Sequence, residues 1–172
     1  MPRKNFITHR ISFSVQAISA FALAGLMVLL GGSEASARSC RTVYGHFINQ
    51  VLVPPPTCTS PVNTCVRGRA IGGLSGDFFA TITSITPSID TAVTAVVFET
   101  ADLVLHTKDG DLLMKEAAAY NGDPNGHGDL GDVVTVVGGT GKWVGATGRL
   151  RVWGNLTPSE SDVNYDGEVC RP

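Results

Sequence analysis

The stretch GGTGKWVGATGRL, residues 138–150, decides the fold, because five of its thirteen residues are glycine. A phosphate-binding loop of the G-x-x-x-x-G-K-[ST] type needs a hydroxyl residue where this chain has Trp143 and a glycine where it has Val136. A dinucleotide-binding fingerprint needs its third glycine where Val144 stands. Both nucleotide-binding interpretations therefore fail, and the glycines indicate tight turns and sharp bends in a small, curved β-structure.

The chain around this stretch is typical of β-structure. Runs rich in β-branched and aromatic residues alternate with Gly, Pro, Asn and Asp, as in TVYGHFINQVLV (42–53), DFFATITSIT (77–86) and DVVTVVGG (132–139). We count seven or eight such strands, and no helical periodicity follows residue 40 apart from a weak option in LLMKEAAAY (112–120). With no internal repeat and no linker, the sequence predicts a single all-β domain, either a sandwich or a barrel.

The N-terminal segment has the organisation of a secretory signal peptide. Three basic residues lie in the first ten positions, an apolar run continues to Leu30, and the small residues Ala35 and Ala37 fit a cleavage site. The sequence therefore predicts a signal peptide over residues 1–37, a mature domain over 38–172, and a secreted or periplasmic location without a stable membrane span. The alternative is an uncleaved anchor over residues 11–30, although several polar residues dilute its first half.

All four cysteines follow the predicted cleavage site, and an even number in an exported chain favours two disulfides. We favour Cys58–Cys65, which closes a short loop, together with Cys40–Cys170, which ties the two ends of the mature chain. Two other pairings remain open. A zinc site is a weaker alternative, because the spacing of the cysteines to His46 does not suit it.

The charge of the chain excludes one class of partner. Cleavage removes three of the 13 basic and one of the 15 acidic residues, which leaves a net charge near −4. The remaining basic residues are scattered, so no nucleic-acid partner is expected. No motif for a bound cofactor or a G-x-S-x-G nucleophile elbow is present, and we expect no cofactor.

Two segments rich in Asp and Asn resemble parts of calcium-binding loops. DVNYDGE (162–168) begins like an EF-hand loop, but the chain ends before the bidentate glutamate such a loop needs. NGDPNGHGDLGD (121–132) offers Asp123, Asn125, His127 and Asp129 at alternate positions. We interpret the first as an Asx-rich turn and the second as a solvated loop, and predict no metal site.

The pair Asp109-Gly110 between two apolar runs predicts a β-hairpin with a two-residue turn that pairs Lys108 with Asp111. Stepping outward, Leu105, Leu103 and Ala101 share the more apolar face with Met114, Glu116 and Ala118, and Glu99 shares it with Tyr120. Asp102, His106 and Lys115 share the other face. We expect the apolar face to point inward, with Lys115 and Asp102 forming a diagonal ion pair outside. A slip of one residue would reverse every assignment.

In this arrangement Glu99, Glu116 and Tyr120 are the polar groups of an otherwise apolar interior. Burial raises the pKa of a carboxyl group, and a raised pKa suits proton transfer near neutral pH. The two glutamates are therefore candidates for an acid/base pair, with Tyr120 holding one of them. The alternative is that they lie near the mouths of the barrel without catalytic function. His46 and His106 are expected to be ordinary hydrogen-bonded strand residues.

The glycine-rich stretch also carries a family resemblance. GGTGKWVGATGRLRVWG (138–154) resembles the GGTG-x-[FWY]-x-G-A-x-G signature of the allene oxide cyclase and dirigent barrels. CTSPVNTC (58–65), GGLSGDF (72–78), TKDGDL (107–112) and YDGEVC (165–170) are similar to segments of bacterial exported proteins with an allene oxide cyclase-like barrel. The resemblance covers nearly the whole mature chain and implies a single antiparallel eight-stranded β-barrel.

The resemblance also implies a function. Such a barrel would bind a hydrophobic small molecule and direct a cofactor-independent cyclisation or coupling, as an isomerase or lyase of the cyclase type. The matched motifs are structural, so no catalytic residue is carried over from the family. The alternative is a non-catalytic secreted barrel that acts through its loops or through an oligomer surface. The apolar residues around Val96 and Phe98 would suit a homo-oligomer, as in the plant relatives.

Overall fold

The computed structural model describes residues 38–53, 55–88, 95–122, 128–157 and 161–172. The predicted signal peptide and its cleavage site, which includes Ala37, lie outside these residues. Within the part of the chain described, no helix is long and apolar enough to cross a membrane.

The described residues form an antiparallel β-barrel, which confirms the predicted fold class. Each strand pairs with the next along the chain, and the last pairs with the first, so that the sheet closes on itself. The strands are β1 (Ser39–Leu52), β2 (Cys65–Gly72), β3 (Gly76–Pro87), β4 (Ala95–Thr107), β5 (Gly110–Gly122), β6 (Gly128–Gly139), β7 (Thr147–Leu156) and β8 (Ser161–Arg171). Closure leaves no sheet edge unpaired along these strands.

Alternation along the strands separates an apolar inside from a polar outside. In β3, for example, Phe78, Ala80 and Ile82 are buried, whereas the residues between them are more exposed. Side chains of a strand point alternately to the two faces of a sheet, and in a small barrel one face is the interior. The alternating apolar positions seen in the sequence therefore become a single core inside the barrel.

Trp143 plugs one end of the barrel, which we call the plugged end. The strands β6 and β7 are joined there by a single turn of 3-10 helix, Gly141–Trp143. The Trp143 side chain is only 2% exposed, its indole N–H donates to Thr107 Oγ1 at 2.9 Å, and the Arg171 guanidinium lies 4.0 Å from the ring centroid. The glycine-rich stretch thus forms a turn that places the Trp143 side chain inside the end of the barrel, where it fills the core.

The β4–β5 hairpin meets this turn, and the contact explains an error in the predicted register. The structure pairs Thr107 with Gly110, so the turn residues are Lys108 and Asp109, not Asp109 and Gly110. Gly110 has a φ of 121°, and a Cβ there would overlap the carbonyl oxygen of Thr140. This glycine is therefore needed for close approach to the glycine-rich turn, and not for the hairpin turn itself.

The displacement is two residues, so the predicted inner and outer faces are unchanged. Leu103 and Leu105 are buried, and His106 is exposed, as expected. Asp102 lies directly opposite Lys115 and forms an ion pair with it, where a diagonal pair was predicted. Both side chains are exposed, so the pair contributes at most about 1 kcal/mol.

The C-terminal Asp/Asn-rich segment is a strand, and its interpretation as an Asx-rich turn was wrong. Asp162, Asn164 and Asp166 alternate along β8 with the buried Val163 and Tyr165. Alternation with buried apolar residues gives the segment a strand pattern, which overrides the turn preference of Asp and Asn.

The polar residues of this segment face outward and have partners. Asp162 contacts His46 Nδ1 at 3.1 Å, and Asp166 accepts from Arg151 Nε at 2.9 Å. In the second Asp/Asn-rich segment, Asp123, Asn125 and His127 lie outside the described residues. Asp129 belongs to β6 and accepts from the Asn155 amide at 3.3 Å.

Two disulfides join the cysteines in the pairing that the sequence favoured. Cys40 and Cys170 are directly opposed on β1 and β8, so this bond lies across the seam that closes the barrel. Cys58 and Cys65 close the loop before β2. Two disulfides and no free cysteine indicate an extracytoplasmic protein.

We expect Trp143→Ala to lower the free energy of unfolding by about 3–5 kcal/mol, because it empties the plugged end and removes a buried aromatic side chain. The matched control is Trp153→Ala, since Trp153 is 44% exposed on the outer face of β7 and should cost about 0.5 kcal/mol. Guanidinium denaturation with both disulfides intact measures the two values. Equal losses in the two variants would contradict the assignment of Trp143 as the residue that fills the plugged end.

Candidate functional site

The other half of the barrel contains a cavity of about 390 Å³. It lies toward the end at which β1, β3, β5 and β7 finish, which we call the site end. Its walls are mainly apolar and include Phe47, Phe78, Leu103, Val134 and Val152. An interior of eight strands is wide enough for one small ligand when its side chains do not fill it.

Small residues opposite the acidic ones create this space. Glu99 on β4 is paired with Ala118 on β5, and Glu116 on β5 is paired with Ala101 on β4. Ala118 is in turn paired with Asp132 on β6. Each carboxyl group therefore has an alanine as its cross-strand neighbour and projects into room that a larger side chain would occupy.

The structure places all three predicted site residues on the cavity wall. Glu99, Glu116 and Tyr120 line it, as the predicted facing of the hairpin requires. Asp132 also lines the cavity, so that three consecutive strands contribute carboxyl groups to one space. Tyr120 lies farther toward the site end, opposite Val97 on β4.

Burial changes the protonation of these groups. It raises the pKa of Glu99 to about 7 and that of Asp132 to about 7. Burial also raises the pKa of Glu116 well above its ordinary value, with a further rise from the negative charges of Asp132 and Glu99. The cluster therefore holds both protonated and ionised carboxyl groups near neutral pH.

The carboxyl groups of Glu116 and Asp132 lie close enough to interact, and a hydrogen bond between them would raise the pKa of Glu116 and lower that of Asp132. Two ionised carboxylates have no proton to donate, so this bond requires that one of the pair be protonated. The shared proton makes the pair a carboxylic acid and a carboxylate side by side. Such a pair is able to supply an acid and a base to the same ligand.

Tyr120 is partly buried, and burial together with the charge of Glu99 raises its pKa. Among the side chains that the structure describes, no hydrogen bond joins Tyr120 to Glu99 or Glu116. We expected Tyr120 to hydrogen-bond one of the glutamates, and the structure does not show this bond. Tyr120 interacts with the cluster through the charge of Glu99.

No Lys, Arg or His is present among the described residues that line the cavity. The cluster is therefore not neutralised by a basic side chain on the cavity wall. In addition, Asp132 Oδ1 is buried and has no hydrogen-bond partner among the described residues. Buried acceptors are normally satisfied, so this oxygen is an unusual feature of the site.

Sequence reasoning missed Asp132. The sequence contained the information needed to place Asp132. Asp132, Val134 and Val136 alternate with more polar or exposed positions and therefore share one face of the strand. The segment DVVTVVGG was assigned as a strand, but its facing was not worked out from a turn, as it was for the hairpin. Applying the same alternation would have placed this carboxyl inside the barrel.

Neither histidine considered in the sequence belongs to the cavity wall. His46 is exposed and contacts Asp162, and His106 is exposed with its Nδ1 2.8 Å from Asp111 Oδ1. Both are ordinary hydrogen-bonded strand residues, as expected.

A second, shallow groove of about 450 Å³ lies over β3 to β6, and its lining includes Glu99 and Asp132 of the cavity wall as well as residues of the outer face. Its floor contains Ala119 and Gly131, and the exposed side chains of Phe98 and Val133 border it. A Cβ built on Gly131 would meet nothing within 4 Å, so packing within the chain does not require glycine there.

Comparison with known proteins finds no matching family and no matching curated protein. Among solved structures, the chain is similar to the pterocarpan synthase dirigent protein GePTS1, with 16% sequence identity and a TM-score of 0.33. The match covers 78% of this chain and 86% of that one. At this identity and overlap it says nothing about ligand or reaction, and the closed barrel is established by the strand pairing of the chain itself.

We expect stability to fall as pH rises from about 5 to about 7. A carboxyl group with a raised pKa binds its proton more tightly in the folded state, so its contribution to stability decreases above the unfolded pKa and levels off above the folded one. Each such group gives a slope of about 1.4 kcal/mol per pH unit. Urea denaturation at a series of pH values measures it.

The matched variants are Glu99→Gln and Asp132→Asn, which should flatten the slope, and Asp102→Asn on the outer face of β4, which should keep it. Asp109 and Asp166 do not contribute in this range, because their basic partners Lys142 and Arg151 lower the pKa of each. A flat profile in the wild-type protein would contradict the buried state of the cluster.

Proposed function

We propose that the barrel binds a hydrophobic small molecule in its internal cavity and directs a cofactor-independent cyclisation of that molecule. The observation that carries this proposal is an apolar cavity of about 390 Å³ into which Glu99, Glu116 and Asp132 project from three consecutive strands. Enclosed apolar cavities with a few converging polar groups are typical of small-molecule sites.

The chemistry we propose is proton transfer without change of composition. The protonated member of the Glu116–Asp132 pair donates its proton to one atom of the ligand, and an ionised carboxylate accepts a proton from another atom. The ligand closes a ring between these events, and the product is an isomer of the substrate. Carboxyl groups with pKa values near 7 are suited to both steps, since neither protonation state is rare at neutral pH.

The walls have a separate role in this proposal. Phe47 and Phe78 are packed edge to face with ring centroids 5.2 Å apart, and together with Leu103 and Val152 they limit the conformations of a bound chain. Restricting a flexible ligand to a ring-closing geometry removes part of the entropic barrier. The sequence resemblance to allene oxide cyclase-like barrels implies the same class of reaction. We further propose a secreted or periplasmic location, which the disulfides and the predicted signal peptide support.

The proposal predicts that the purified protein converts a hydrophobic component of its host's culture extract into a product of the same mass. Mass spectrometry before and after incubation measures this conversion. Glu116→Gln should lower the rate at least about 100-fold, because it removes a proton donor and acceptor. Ala80→Leu, which fills part of the cavity, should prevent conversion, whereas the same change at Ala117 on the outer face should not.

Failure of the wild-type protein to bind or convert any component would contradict the proposal. A product of about twice the substrate mass would indicate coupling instead of cyclisation. Full activity of Glu116→Gln with correct folding would remove the carboxyl cluster from the mechanism.

We propose as a second candidate that the barrel acts through its outer groove as a homo-oligomer. Exposed Phe98 and Val133, with Gly131 leaving room between them, support a close approach of a second copy. The expectation is that Phe98→Ser lowers the assembly mass measured by light scattering, while Tyr44→Ser, at an exposed position of β1 outside both the groove and the cavity, leaves it unchanged. A monomeric wild-type protein at all concentrations would contradict this candidate.

A further inference from the structure

One oxygen of the Asp132 carboxyl group has no hydrogen-bond partner within the part of the chain that the structure describes. Asp132 is 8% exposed, and its Oδ1 has no hydrogen-bond partner among the described residues. A buried acceptor without a donor costs free energy, and a ligand that supplies the donor recovers it. Asp132 lines the cavity, so a molecule bound there lies beside its carboxyl group, whose Oδ1 has less than 1 Å² of accessible surface.

No positively charged side chain is present among the described residues that line the cavity around this oxygen. The titratable groups that line the cavity with Asp132 are Glu99 from β4 and Glu116 and Tyr120 from β5. The lining residues of β1, β2, β3, β7 and β8 are all uncharged. An ionised carboxylate in an apolar enclosure is costly unless an opposite charge is close to it, and the described wall provides none.

We propose that the ligand of this cavity is a hydrophobic amine whose protonated nitrogen lies among the carboxyl groups of Asp132, Glu99 and Glu116. This inference rests on the proposed function in one respect, namely that the cavity holds a small molecule. An ammonium group supplies both of the missing elements, the donor and the positive charge. A neutral alcohol supplies only the donor, and a carboxylate ligand would add a like charge.

A metal ion fits the site less well than an organic cation. Among the described residues, the group that brings three metal-binding atoms close together is Cys40, Glu168 and Cys170, two of which form a disulfide. The cavity carboxyl groups do not form such a group. They lie on three adjacent strands at one side of the cavity, which leaves the remaining space for the apolar body of an amine.

The apolar walls indicate the structure of the part of the ligand that carries the ammonium group. Phe47, Phe78, Leu103 and Val152 offer aromatic and aliphatic surface on the same cavity. A volume of about 390 Å³ is at the small end of ligand sites, so one or two rings with a short aminoalkyl arm would fill it.

The test is calorimetric titration of the full mature domain at pH 8 with naphthylmethylamine, naphthylmethanol and naphthoate. These three probes share one apolar body and differ in the charge of the polar group. The amine should bind roughly tenfold or more tighter than the alcohol, and naphthoate should bind more weakly than either. Asp132→Asn and Glu99→Gln should each reduce the ratio of amine to alcohol affinity toward one while keeping the alcohol affinity within about threefold.

Asp102→Asn is the matched control, because it removes one carboxylate from the outer face of β4 and should leave that ratio unchanged. Equal affinity for amine and alcohol in the wild-type protein would overturn the inference but leave the proposed cavity intact. Absence of binding by both would contradict the proposed function as well. A ratio that survives in Asp132→Asn and Glu99→Gln alike would assign the preference to the general negative charge of the protein and would also overturn the inference.

Discussion

Closure of the sheet between β1 and β8 is the constraint on which the site depends. The two strands pair over most of their length, and the Cys40–Cys170 disulfide joins directly opposed residues of this seam. An open sheet of the same strands would expose its inner face to water, and the carboxyl groups on it would have ordinary pKa values. Closure removes that face from solvent, and the raised pKa values of Glu99, Glu116 and Asp132 follow from it.

The two halves of the barrel differ in how densely their interiors are packed. At the plugged end, Trp143 fills the interior and Tyr165 is fully buried, with its hydroxyl accepting from the Leu74 amide at 2.8 Å. Gly45 permits the close packing of this tyrosine, since a Cβ there would overlap the Ile71 carbonyl oxygen and the tyrosine ring. Dense packing at this end stabilises the fold, so the other half tolerates both a cavity and buried charge, each of which is destabilising.

The sequence predicts the architecture better than the site, for reasons that individual residues make clear. Alternation along the strands is a local property, so the inner positions of Glu99 and Glu116 could be predicted although the hairpin register was wrong by two residues. The register depended on the role of Gly110, which is set by its contact with Thr140, a residue 30 positions away in the chain. Local turn preferences contain no information about such a contact.

The same distinction explains the plug and the missed carboxyl. The glycine pattern of residues 138–150 excluded a nucleotide loop, but only the closed barrel defines an end for Trp143 to fill. Asp132 could have been assigned to the inner face by alternation, whereas its proximity to Glu116 follows from the pairing of β5 with β6, a long-range feature of the fold. The side of the sheet to which a residue points can thus be predicted from its own strand. The residues that meet in a site can be predicted only when the pairing of several strands is known.

A proton and a positively charged ligand would each neutralise the same cavity carboxylates, so they would compete. This competition links the pH dependence of the free energy of unfolding to the proposed proton transfer. Without a ligand, ionising the cluster has an unfavourable free energy, so the folded protein retains protons that an unfolded chain would release. Any ligand that brings positive charge to Asp132 stabilises the ionised form and thereby releases protons, whereas a neutral ligand leaves the shared proton of the Glu116–Asp132 pair available for transfer. In the proposed function, the charge of the molecule that enters therefore determines the protonation of the cluster, because the described cavity wall contributes no cation of its own.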